Sequence, residues 1–289
     1  MIYLILAIIL STAVFVVMRY IGRFKLDNHQ ALTWNYATSA CIGTVMGAVN
    51  GTLVAPTTQP WFSLSLILGF WFILTYLLII ESSQRSGVTI TSLSSKLSVV
   101  IPTLFGILVL NEGLRLTSGI GILLALAALF LVVGGKGKKQ AKTDKTTYIL
   151  LLPFFIFFST GIGDILMKTT EQANTSSDMI PMIAFIYFIS FLFGAILVVY
   201  DLIKGKSKWQ WKSALGGFAL GTVNFFSTCC IYSAMRVFDN VVMFPVYNIG
   251  VVCLSALSGW LLFKEKLTWK NYLGLAIAII AVFLITVKL

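Results

Sequence analysis

Two charged side chains interrupt runs that are otherwise apolar. Lys96 stands in Thr91-Ser92-Leu93-Ser94-Ser95-Lys96-Leu97-Ser98, and Asp164 in Gly161-Ile162-Gly163-Asp164. An ammonium or carboxylate in hydrocarbon is costly, so each must face a cavity, snorkel to the interface or find an opposite charge. In a cavity, Lys96 would meet an anionic or carboxylate-bearing ligand, with Ser92 and Ser95 in its helical neighbourhood. As a structural group it would form an ion pair or snorkel. Asp164 could bind a proton and couple solute movement to a proton gradient. It could equally be a fixed partner of Lys96, or of Lys168 four residues on.

A second group of candidates is neutral. Tyr247 and Asn248 follow Pro245, and Asn224 and Tyr232 lie in the preceding apolar run. Such donors and acceptors suit hydroxyls or amides, with Tyr247 and Asn248 ranking ahead of Asn224. Interhelical hydrogen bonds worth about 0.6 kcal/mol each explain them almost as well. Pro102 and Pro245 would interrupt a helical ladder and free carbonyls for a ligand. Gly161 and Gly163 would permit a bent helix or a wider cavity.

No catalytic set accompanies them. His29 is the single histidine, the four cysteines fall inside apolar runs without metal-ligand spacing, and no phosphate-binding loop is present. Neither an enzyme nor a cofactor is implied, and no metal site.

The elements that must position these groups are membrane helices. The chain is 58% hydrophobic and 11% charged, with a mean hydropathy of +0.94. A soluble fold carries about 25% charged residues. Apolar runs of about 20 residues span a hydrocarbon core. Ten spans are predicted, at 2–20, 31–54, 61–80, 88–110, 117–134, 148–168, 179–200, 211–232, 239–262 and 269–287. The first has no basic residue before it and no cleavage pattern after it, so it reads as a retained helix. Within span two, Gly43, Gly47 and Gly51 form a small-residue stripe suited to close packing. Trp34, Trp61, Trp209, Trp211 and Trp269 fall near span ends and read as interfacial anchors.

The net charge of +11 lies mostly in short connections, where it signals topology and not nucleic-acid binding. Connections after spans one, three, five, seven and nine hold most of the Lys and Arg, and the other side holds only Arg115, Lys168, Arg236 and Lys288. The charge bias therefore places that side in the cytoplasm and both termini outside. The chain divides into residues 1–134, a basic linker at 135–147, and residues 148–289. Five spans per half is an odd number, so the second half must enter the membrane from the opposite face. Asn111-Glu112 with Gly121 match Lys264-Glu265 with Gly274 at one constant offset. Both glutamates read as structural turn residues, accepting backbone N–H bonds at a helix start. Two inverted halves are a common plan for secondary transporters.

With these features the chain resembles the drug/metabolite transporter superfamily in its ten-helix, EamA-type form, over essentially its whole length. The local resemblance is the acidic turn between the fourth and fifth helices of each repeat, here Leu110-Asn111-Glu112-Gly113-Leu114-Arg115 and Phe263-Lys264-Glu265-Lys266-Leu267-Thr268. Asn111 and Lys264 replace the glycine usual before the family's acidic residue. The resemblance implies a central cavity lined mainly by the first, third and fourth helices of each half. It also implies export or exchange of small organic metabolites, and both termini in the cytoplasm, the reverse of the charge bias.

The resulting expectation is an all-α membrane protein with ten transmembrane helices in two inverted five-helix repeats, in a bacterial cytoplasmic membrane. It would carry a small organic metabolite by alternating access, with anionic and zwitterionic compounds among the candidates. Proton coupling and dimerisation stay open. Two alternatives remain: a flippase for a lipid-linked substrate, marked by a lateral opening beside Lys96, and a non-transporting sensor or assembly subunit, marked by a dry Lys96–Asp164 pair.

Overall fold

The computed structural model describes residues 2–108, 116–134, 144–174, 179–237 and 240–286. Glu112 and most of the basic linker lie outside them. The described residues form helices α1 (Ile2–Arg23), α2 (Asn28–Val49), α3 (Phe62–Arg85), α4 (Val88–Leu97), α5 (Val100–Leu108), α6 (Leu116–Gly134), α7 (Asp144–Gln172), α8 (Ile180–Ile203), α9 (Trp211–Val237), α10 (Asn240–Phe263) and α11 (Trp269–Thr286). With α4 and α5 as two parts of one span, these are the ten spans of a multi-pass membrane protein.

Local chemistry sets the boundaries. Between α1 and α2 the chain reverses through Lys25 at φ 53°. Asp27 then caps α2 by accepting the Gln30 N–H at 2.9 Å, an arrangement worth about 1 kcal/mol. Span four breaks at Ser98-Val99, just before Pro102. Pro102 has no N–H to give the Ser98 carbonyl, which instead accepts from Ile101 N–H at 2.9 Å. Pro102 thus sits in the first turn of α5, where its missing donor costs least. Span two is shorter than its apolar run suggests: α2 ends at Val49, and Gly51 lies in a turn with open space around it.

The two halves interlock. α2 packs on α8, α6 on α11, and α4 on α10, so each of these helices meets its counterpart from the other repeat. α2 belongs by sequence to the first half but packs chiefly on α8 and α9. Glycines make that approach possible. A Cβ on Gly217 would fall 2.4 Å from the Ala31 carbonyl oxygen, and one on Gly221 2.4 Å from that of Asn35. Gly43 meets Ala184 and Phe225 in the same way. Small residues let helix backbones come together where lipid supplies no hydrophobic drive.

The helix ends rich in Lys and Arg gather at one end of the bundle. Arg19 Nη1 donates to the Ser83 carbonyl at 2.7 Å, and Gln84 Nε2 to Asn28 Oδ1 at 2.8 Å. Gln30 donates to the Lys208 carbonyl, and His29 Nδ1 pairs with Asp201 Oδ2. Trp209, Trp211 and Trp269 are exposed at helix starts, as anchors should be. Trp61 is not an anchor. It is buried and packs on Phe185, with ring centroids 5.8 Å apart, because the α3 start leans onto α8.

Candidate functional site

Lys96 is the one residue of α4 that is not buried. Its Nζ donates to the Tyr247 hydroxyl at 3.1 Å and lies 4.3 Å from the centre of that ring. The Tyr247 oxygen is 2.8 Å from Ser11 Oγ, which is 2.7 Å from Ser227 Oγ. An ammonium has donors only, so Tyr247 must accept from it. The phenolic hydrogen is then free to donate to Ser11, and the Ser11 hydrogen to Ser227. The chain joins α4, α10, α1 and α9.

Asp164 lies on α7, facing the break between α4 and α5. Ser98 Oγ is 3.3 Å from Asp164 Oδ2 and 2.5 Å from the Ser95 carbonyl oxygen. One hydroxyl hydrogen serves two acceptors, and the nearer is not the carboxylate. Neither Lys96 nor Lys168 comes within ion-pair distance of Asp164 among the described residues, so the fixed pair that the sequence allowed is absent. Asp164 is also exposed. The two charges of the site therefore hydrogen-bond to neutral partners and make no direct ion pair among the described residues.

The other sequence candidates divide. Asn248 is buried and borders a narrow crevice between α4, α10 and α11, with Lys96 as the other polar member of its wall. The crevice is too narrow to seat a water molecule in this conformation. Ser92 turns its hydroxyl onto its own helix, donating to the Thr89 carbonyl at 3.0 Å, and Ser95 offers its carbonyl to Ser98. The side chains of Tyr232 and Pro245 lie outside the described residues. α7 runs unbroken through Gly161 and Gly163. Gly161 lies under Ile101 and Gly163 beside the Trp71 ring, so in this conformation these glycines serve close approach rather than a bend.

Asn224 belongs to a second polar cluster. Its Oδ1 accepts from the Tyr76 hydroxyl at 2.9 Å, and its Nδ2 reaches Asn35 Oδ1 at 3.4 Å. Tyr36 stands between Tyr76 and Tyr187, with centroids 5.7 Å and 5.9 Å away. Tyr187 shares a hydrogen bond with Thr228 at 2.8 Å. The Tyr36 hydroxyl and the Asn35 Nδ2 are buried without a partner among the described residues. Sequence reading passed over Tyr36, Tyr76, Tyr187, Asn35, Ser11 and Ser227. The available signal was that these polar atoms recur inside apolar spans, where each needs a partner.

Glu265 accepts backbone N–H bonds at a helix start, but not at the helix that follows it. Its carboxylate accepts from Val88 N–H at 2.7 Å and Thr89 N–H at 3.3 Å, capping α4. The start of α11 is held by Thr268 and Asn271: Asn271 Oδ1 accepts from the Thr268 N–H and hydroxyl, and Asn271 N–H donates back to Thr268 Oγ1.

Comparison with known proteins agrees with this architecture. A family model described as "EamA-like transporter family" matches residues 1–134 and 146–287. An uncharacterized protein of Haemophilus influenzae is 28% identical over 97% of this chain and 96% of its own length. A "probable glucose uptake protein GlcU" of Priestia megaterium is 23% identical over 87% of this chain and 88% of its own length. One crystal structure has a TM-score of 0.65 at 14% identity, covering 98% of this chain and 94% of that one, a likeness of fold.

Proposed function

The chain belongs to the EamA-like transporter family, and from that premise we propose that it carries a small organic metabolite across the cell membrane by alternating access, using Lys96 and Asp164 as separate charged contacts. The carrying observation is that the two opposite charges hydrogen-bond to neutral partners and make no direct ion pair with each other among the described residues. A substrate with a carboxylate and an ammonium, or with one of these and several hydroxyls, gives each a better partner. Charge-assisted hydrogen bonds contribute about 1.5–3 kcal/mol. Asp164 is also the group suited to taking a proton when a gradient drives transport.

A second substrate class is favoured by a specific observation. The Asn35, Tyr36, Tyr76, Asn224 cluster contains no formal charge and keeps two buried donors unpartnered. Aromatic faces beside spare amide and phenol donors suit an uncharged polyhydroxylated solute, and the similarity to a probable glucose uptake protein supports including sugars.

Uptake into proteoliposomes of labelled amino acids, sugars, sugar phosphates and nucleosides, with and without a proton gradient, tests the proposal. Saturable uptake of one class is expected. In Asp164→Asn the gradient-driven component should vanish while counterflow exchange persists. Correctly inserted protein that moves none of these classes would overturn the carrier reading, and gradient-driven uptake unchanged in Asp164→Asn would remove that residue's role.

A further inference from the structure

α10 ends in a turn that aims a carboxylate back across the bundle. Lys264 takes the left-handed conformation at φ 51°, a position usually given to glycine. Glu265 N–H then closes onto the Gly259 carbonyl at 3.0 Å. The Glu265 side chain therefore leaves the second repeat and enters the first. It accepts the Val88 N–H at 2.7 Å, the Thr89 N–H at 3.3 Å and the Thr89 hydroxyl at 3.0 Å, at the positive end of the α4 dipole.

The surroundings are shaped to this carboxylate. Gly87 precedes α4 at φ 98°, which L side chains rarely adopt, and a Cβ there would fall 2.6 Å from Glu265 Oε1. A Cβ on Gly259 would fall 2.5 Å from Oε2. Glu265 makes no ion pair among the described residues, although Lys264 and Lys266 flank it, so the α4 N-terminus is its counter-charge. A second link between repeats lies beside it: the Arg19 guanidinium sits 5.9 Å from the centre of the Phe263 ring.

Internal symmetry shows where the bundle is shut. At the cation-rich end α1 packs along α3, tied by Arg19 to Ser83 and by Gln84 to the Met18 carbonyl. The counterparts of α1 and α3 are α7 and α9, whose closing ends lie at the other face. Among the described residues that pair does not pack as α1 and α3 do. Among the described residues the bundle is closed at the cation-rich end, and α7 and α9 lie farther apart at the opposite one.

We propose that Glu265 is the latch of the cation-rich gate. It is a positioning residue that holds the start of α4, the helix of Lys96, against the second repeat while this face is closed, and lets go when the face opens. The half-exposed carboxylate makes release feasible, since water can replace the three protein donors. The proposal rests on the alternating-access reading, but its test needs no substrate.

Spin labels are placed in a cysteine-free background in nanodiscs, and distances are measured by pulsed electron paramagnetic resonance. One pair, Arg85→Cys with Lys270→Cys, spans the gate. The other, Gln172→Cys with Ser233→Cys, spans α7 and α9 at the opposite face. With Glu265 intact, the first pair should give a short distribution and the second a long one. Glu265→Gln, and separately Thr89→Val, should add a population in which the first lengthens by about 5 Å, half a helix diameter, and the second shortens. Lengthening of the first pair without shortening of the second would make Glu265 a local cap and overturn the latch. Unchanged distributions in both variants would overturn it equally. If these shifts occur but no solute is transported, the latch stands and the carrier reading fails.

Discussion

Replacing Lys96 by methionine separates a ligand-binding lysine from a structural one. The ammonium makes one hydrogen bond, to Tyr247 at 3.1 Å, and one ring contact at 4.3 Å. A hydrogen bond from a charged donor contributes about 1.5–3 kcal/mol, and the cation–ring contact roughly 0.5–2 kcal/mol. Against these stands the loss of hydration of a charge held within a membrane span, several kcal/mol in the opposite direction. The terms nearly cancel. Methionine is of similar length, so Lys96→Met should change stability by less than about 1.5 kcal/mol. Tyr247 keeps its bond to Ser11, and the rest of the chain persists. Transport should respond differently. Losing a charge-assisted bond of about 2–3 kcal/mol to a substrate carboxylate lowers kcat/KM roughly 30- to 140-fold. The assay compares initial uptake in proteoliposomes with thermal unfolding in detergent, where the midpoint should move by less than about 5 °C. A midpoint lowered by more than about 10 °C, with uptake per folded molecule unchanged, would make Lys96 a structural residue and refute its assignment to the substrate.

Two further outcomes are expected. Gly221→Ala should destabilise by about 1–3 kcal/mol through overpacking, because its Cβ would fall 2.4 Å from the Asn35 carbonyl oxygen and 2.8 Å from Thr38 Cβ; Gly119→Ala, with nothing within 4 Å, should be neutral or stabilising, and equal melting losses in both would refute the packing account. If the charge bias governs insertion, a single cysteine replacing Lys138 should react with an impermeant maleimide only from the cytoplasmic side, whereas labelling from outside would place both termini in the cytoplasm.

What could be read in the sequence follows the range of the interactions. The spans were legible because hydrocarbon thickness fixes their length, and the inverted halves because five spans per half forces the second entry. The break in span four could be expected from Pro102, although it falls at Ser98-Val99. Lys96 and Asp164 stood out because charge is rare in such runs. Their partners did not, since Tyr247 is 151 residues from Lys96 and 236 from Ser11, and sequence spacing carries no information over that distance. Glu265 shows the same limit. Its turn was recognised and its chemistry anticipated, but the helix it caps lies in the other repeat. Trp61 looked interfacial by position and is buried by the lean of α3 onto α8.

The same long-range partners connect binding to movement. The Lys96–Tyr247 bond passes from the first repeat to the second, as does the contact of Tyr247 with Ser11. On the carrier reading, rocking one repeat against the other must stretch such bonds or carry them intact. A ligand shifts a conformational equilibrium only through its different affinity for the two states. A solute that draws Lys96 from the neutral phenol to its own carboxylate weakens a link between repeats in the state closed at the cation-rich end. Its charge-assisted bond supplies about 1.5–3 kcal/mol, comparable to the link it replaces. An uncharged solute held at the Asn35 and Tyr36 cluster leaves that link in place. Lys96→Met should therefore slow transport of the first kind and spare, or even accelerate, transport of the second.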